Sequence, residues 1–282
     1  MLSWAVLAGL AVGAQPGAQP GVKESPVELA AWIDARLEAG WRARNLPARE
    51  VAGDAVWLRG EFRKNTPFDQ MARAMLTESD GPARPRTAEA AAAGSGFALA
   101  VGGTPDRLAE AAGRGLLGVR LGCAQCHNHP FAQWTQGDFW GLAAFFTPGG
   151  TKGTATNGGK EYPAKFLDAD ASPPAGKAPR AALADWLTAA DNRYFAANVV
   201  NRVWQDLCGT GLVSTVDDLD TLTADERALV LDELAGKFAA SGFDVKALVR
   251  GICRSQAYQR SSKPTAGNEA AAATAYARGP LK

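Results

Sequence analysis

Histidine is almost missing from this chain: 282 residues contain two of them, with three methionines and four cysteines. With both histidines at positions 127 and 129, no imidazole elsewhere can serve as a general base. A charge imbalance is also missing. Thirty Lys and Arg face 29 Asp and Glu, a formal net charge of +1. That argues against a general nucleic-acid binder, which carries a clear basic excess. Beyond the N-terminus there is no apolar run of the roughly 20 residues a membrane span needs. Alternating strand patterns, internal repeats, nucleotide-binding loops and serine triads are lacking as well.

What is present is ample core material, 46% hydrophobic against 21% charged residues. Residues 1–16 form a short apolar run with Val12-Gly13-Ala14 as a cleavage site, like a secretory signal peptide without its usual basic start. An apolar N-terminal tail is the plainer reading. Export to the periplasm or cell surface is the expectation, with no integral span beyond a signal anchor. Residues 15–24, rich in Gly, Pro and Gln, read as a linker.

Helix signals fill most of the rest. Ser25-Pro26-Val27-Glu28 is a capping box that opens a stripe of Leu29, Ile33, Leu37 and Trp41. Thr66-Pro67-Phe68-Asp69 opens a helix with Phe68, Met71, Ala72, Met75 and Leu76 on one face. Residues 79–95 read as a loop. Thr104-Pro105-Asp106 opens a helix running towards Cys123, with Leu108, Ala111, Ala112 and Leu116 inside. Thr135-Gln136-Gly137-Asp138 caps an aromatic helix carrying Phe139, Trp140, Leu142, Phe145 and Phe146. Residues 148–163, rich in Gly and Thr, read as a flexible connection. Helices follow at 181–187, 194–207 (closed by Gly209), 224–240 (with Leu229, Leu231, Leu234 and Phe238) and 245–253. The expected fold is mainly α. Leader and linker occupy 1–24, one helical domain 25–147 and a second helical domain 148–282, joined by the Gly/Thr-rich loop.

The chemistry concentrates in Cys123-Ala124-Gln125-Cys126-His127-Asn128-His129-Pro130, which holds both histidines and two of the four cysteines. The string C-x-x-C-H is the attachment pattern for haem c. Cysteines three apart share a face of a helical turn, so both can form thioethers with one macrocycle. His127 follows directly and can ligate the iron. Phe131, Trp134, Phe139, Trp140, Phe145 and Phe146 could line a haem pocket, or be ordinary core. Arg107, Arg114 and Arg120 could meet the propionates, or form a solvated face. Met71 or Met75 could supply a sixth ligand, or fill core gaps.

Two rival readings stay open. Cys123, Cys126, His127 and His129 make a zinc-type ligand set, though compressed into seven residues. Cys123 and Cys126 could instead form a disulfide. Cys208 and Cys253 carry no motif and read as buried small hydrophobes or a disulfide pair. Asp217, Asp218 and Asp220 could bind metal or act as acid–base groups, but a polar turn explains them without either.

The run from Gly118 to Phe131, with Trp134, Asp138-Phe139-Trp140 and Ala143-Ala144-Phe145-Phe146, resembles the planctomycete cytochrome-c-like domain of unknown function. Arg180 to Leu187, Asn201-Arg202-Val203-Trp204, Gly211-Leu212-Val213 with Asp217-Asp218, and Phe243 to Leu248 resemble the planctomycete-specific domain that follows it. The resemblance runs from about residue 28 to the end. It differs in an abbreviated segment at 45–57 and in a family pattern that continues past Lys282. It implies an exported, mostly helical protein with haem at Cys123, Cys126 and His127. From these residues we expect single-electron transfer with a protein redox partner and no nucleic acid. The alternative is a non-enzymatic binding or scaffold protein with zinc or a disulfide at the Cys/His cluster.

Overall fold

Helix starts in this chain are written by proline and by capping side chains, and the computed structural model follows them closely. It describes residues 53–77, 97–147, 153–167, 171–221, 226–261 and 263. The expected leader and linker at 1–24, the helix carrying Leu29 to Trp41 and the loop at 79–95 lie outside these residues. The described part is mainly α, about 59% helical, with one small two-stranded sheet.

Helix α1 spans Gly53–Lys64. Helix α2, Phe68–Thr77, begins directly after Pro67 and buries Met71, Ala72 and Leu76, three of the expected stripe. Helix α3, Pro105–Ala112, has proline in its first turn and buries Leu108, Ala109 and Ala112. A single π-helical turn, Gly113–Leu117, extends it and ends at Gly118 in the left-handed conformation. Helix α4, Gln136–Ala143, opens with the expected capping box, both bonds between Thr135 and Asp138 being formed.

In the second half, α5 spans Pro179–Leu187 and α6 spans Phe195–Cys208, the latter closed by Gly209 at φ +80°. Helix α7 covers Glu226–Ala240 and α8 covers Val245–Arg254. Leu229, expected inside, is 67% exposed. The inward stripe of α7 is Ala228, Leu231, Ala235 and Phe238. Leu229 lies one residue, about 100°, off that stripe.

Residues expected as a flexible connection form a hairpin instead. Strand β1, Thr154–Asn157, pairs antiparallel with β2, Lys160–Pro163. Gly158 and Gly159 both take positive φ, as a two-residue hairpin turn matched to strand twist requires. The paired Ala155 and Tyr162 are buried, and both strands pack on α4. Four-residue strands carry too little alternation to stand out in a sequence rich in Gly and Thr.

All described residues fall in one compact unit, Val51–Lys282. A single hydrophobic cluster runs from Ala72 through Phe139, Phe145 and Phe166 to Leu231 and Ile252. Ring contacts join the two halves: Phe68 to Phe195 at 5.8 Å between centroids, and Phe145 to Phe166 at 5.0 Å, which continues to Trp186 at 5.3 Å. The residues of the expected halves 25–147 and 148–282 thus share one core.

Candidate functional site

The Cys/His segment begins where the π turn stops. Gly118 at φ +68° reverses the chain, and Val119 and Leu121 turn into the core. Gly122–Gln125 then forms a 3-10 turn. In such a turn residues three apart eclipse one another. Leu121 and Ala124 form the inner row, with 1% and 0% exposure. Cys123 and Cys126 form the outer row, both exposed and both free thiols. The periodicity that buries an alanine therefore turns two sulfurs to solvent on one face.

Two side chains fix the end of this turn directly, and two more hold one of them in place. Trp140 Nε1 donates to the Gln125 carbonyl at 2.9 Å. Gln136 Nε2 donates to the Cys126 carbonyl at 3.0 Å and to that of Gln125 at 3.3 Å. The backbone N–H of Gln136 donates to Asn128 Oδ1 at 3.0 Å, and Tyr162 O–H donates to Gln136 Oε1 at 3.0 Å. Gln136 is the latch of the motif, holding it to α4 and to the hairpin.

The two histidines differ in chemistry. His127 is exposed, and its Nδ1 lies 2.7 Å from the Asn128 carbonyl. A carbonyl only accepts, so Nδ1 carries the proton and the neutral ring keeps its free lone pair on Nε2. His129 is the reverse. Its Nδ1 accepts from the backbone N–H groups of Ala132 at 2.9 Å and Phe131 at 3.2 Å. Its lone pair is spent on closing the turn that follows.

The other sequence candidates divide clearly. Trp134, Phe139, Phe145 and Phe146 are core residues, none more than 2% exposed, and Trp140 is half-buried. They do not surround the thiols as a pocket. Helix α4 and the 3-10 turn Ala144–Phe146 that follows it turn Phe139, Phe145 and Phe146 onto the shared core. Phe131 alone stands out, 95% exposed two residues past His129. Arg107 and Arg120 are exposed, whereas Arg114 is bound to Asp217 at 2.6 Å. Met71 is 1% exposed on α2, a helix packed against α5, and Met75 is half-buried.

Asp217, Asp218 and Asp220 are all engaged within the protein. Burial pushes the Asp217 carboxyl up, but its hydrogen bonds and ion pairs with Arg114 and Arg202 outweigh that and hold it below the usual range. Among the described residues, no group of three or more His, Cys, Asp or Glu side chains is arranged to hold a metal ion. Nor is any helix there long and apolar enough to cross a membrane. An open cleft of about 320 Å³ adjoins the latch, lined by Thr135, Asp138, Tyr162 and Lys165 among others.

Family comparison assigns both halves. Residues 30–150 match PSCyt2, a protein of unknown function (DUF1549), and residues 179–282 match PSD1, a protein of unknown function (DUF1553). The chain carries the planctomycete cytochrome-c-like domain followed by the planctomycete-specific domain. No curated protein and no solved structure matches it. The Cys/His turn belongs to the PSCyt2 segment, and the hairpin falls between the two matches. Gln136, Asn128 and Trp140 escaped sequence reasoning as positioning groups. Gln136 appeared there only as filler in a capping box, and nothing local signals that its amide reaches back ten residues.

Proposed function

We propose that this chain is an exported c-type cytochrome-like protein that carries single electrons, with haem held by Cys123, Cys126 and His127. The observation that carries the reading is the outward row: two exposed free thiols three residues apart, one within a 3-10 turn and one at its C-cap, followed at once by an imidazole whose Nδ1 is held by a carbonyl, which leaves the lone pair on Nε2. Covalent attachment needs the sulfurs accessible and close in register, and ligation needs a neutral ring with a defined free nitrogen. The residues present fit a group mounted at the surface rather than enclosed. When bound, haem supplies one-electron exchange at its iron. The protein contributes the two anchors, the fixed tautomer of His127 and the latch that holds their backbone. Hydrogen bonding of the distal His127 nitrogen to a carbonyl also raises the basicity of the ligating one.

The partner is a protein redox carrier, met at the exposed face bearing Phe131, since a large aromatic left in water adjoins the site. The zinc alternative draws less support. It needs His129 as a fourth ligand, and that ring's Nδ1 is engaged by two backbone donors.

The test is expression of the full chain with a haem-maturation system. A Soret band that survives denaturation and acid extraction is expected, and Cys123→Ala with Cys126→Ala should abolish it. A colourless protein carrying one equivalent of zinc would transfer the case to the scaffold reading.

A further inference from the structure

The Cys/His loop leaves the core at the π turn and returns at Trp134, and both crossings meet the same short piece of the PSD1 segment. On the way out, Asn198 Nδ2 donates to the Gly115 carbonyl at 2.8 Å, and Arg202 donates to the Arg114 carbonyl at 2.8 Å. Leu219 N–H donates to the Gly118 carbonyl at 2.8 Å. The contact is so close that a Cβ on Gly118 would sit 2.7 Å from Asn198 Oδ1. Asp217 holds Arg114 and Arg202 together. On the way back, the buried Trp134 donates from Nε1 to Asp220 Oδ2 at 2.6 Å, and its carbonyl accepts the His129 N–H at 2.8 Å.

Residues 217–220 therefore grip both ends of the loop at once. Asn198 and Arg202, one turn apart on α6, complete the grip. Arg202 and Asp217 belong to the segments that resemble PSD1, Asn201-Arg202-Val203-Trp204 and Asp217-Asp218, and Asn198, Leu219 and Asp220 lie within three residues of them. In these contacts their polar groups meet main-chain atoms, the Arg114 guanidinium and one indole of the PSCyt2 segment. A separately folding module docking for other purposes would have no need of them.

We propose that Asp217 to Asp220, with Asn198 and Arg202, form a positioning brace through which the PSD1 segment sets the conformation of the Cys123–His127 turn. The brace makes the PSD1 segment part of the site. Its effect at the iron rests on the cytochrome reading; its effect on the bare loop does not.

Two variants test it, one at each crossing. Asp220→Ala removes the acceptor of the Trp134 indole N–H while leaving the buried ring in place, and Arg202→Gln removes the charged grip on Arg114 and Asp217. In the unloaded full chain, hydrogen exchange should accelerate about tenfold or more across residues 119–133, as expected for losing a charge-assisted bond. Exchange in α8 should stay at the parent rate. Asp220→Asn, which keeps an acceptor oxygen for the Trp134 N–H, should stay near the parent rate at that end. In the haem-loaded protein, each of the first two variants should change the oxidised-to-reduced ratio at the parent midpoint by about tenfold, the scale of outer-shell effects. Unaltered exchange in 119–133, or equal acceleration throughout the chain, overturns the brace. Accelerated exchange with an unchanged midpoint overturns its role at the iron. A parent chain that takes no haem removes the cytochrome reading and leaves the exchange result to decide the brace.

Discussion

The four cysteines occupy two different environments, and that difference is measurable. Cys123 and Cys126 are exposed, whereas Cys208 is half-buried and its thiol is pushed up by burial and then by the nearby Cys253. The thiolate is the nucleophile, so a raised thiol reacts slowly. With iodoacetamide at pH 8, Cys123 and Cys126 should be alkylated first and Cys208 last, as peptide mass spectrometry would record. Phe131 makes the complementary case. Because 95% of it is already in water, Phe131→Ser should alter stability by no more than about 0.5 kcal/mol in urea titration. A larger loss would mean that the ring is packed.

Between residue and molecule stand the elements, and here single turns carry most of the specificity. Gly118 ends the π turn at φ +68°, with Asn198 packed where a side chain would start. Gly118→Ala adds left-handed strain to a steric clash, and should cost about 2–3 kcal/mol by denaturant unfolding. Helix α8 is capped by Asp244, whose carboxylate accepts the Ala247 N–H at 2.9 Å. Asp244→Ala should remove about 1 kcal/mol, the ordinary worth of such a cap.

At the scale of the whole molecule, the shared core and the charge network link residues far apart in sequence. Phe68 stacks on Phe195 and Phe145 on Phe166, so cutting the chain near 150 would expose those rings. The full chain should melt in one calorimetric transition, and a fragment ending at 150 should show no cooperative melt; two separate transitions would contradict the common core. Acid sensitivity follows from Asp217. Its folded-state value lies below the unfolded one, so the stability it contributes is complete above the unfolded value near pH 4 and is lost as pH falls through the folded value. Asp217→Asn should flatten the decline in melting temperature below pH 4 relative to the parent.

Taken by itself, the sequence determined whatever depends on neighbours within about one turn. The Thr135–Asp138 capping box, the proline starts of α2 and α3, the apolar stripe of α2 and the left-handed glycine after α6 were all legible, because their causes lie three or four residues apart. The C-x-x-C-H spacing belonged to the same class. Tertiary structure alone decided which way each face turned. It buried Phe139 and Phe145 in a core common to both halves, left Leu229 in water, made a hairpin of a Gly-rich connection and assigned the free nitrogen of His127. It also tied Trp134 to Asp220 across 86 residues. Contacts of that kind leave no periodic trace, since each depends on where two remote backbones meet rather than on what either carries nearby.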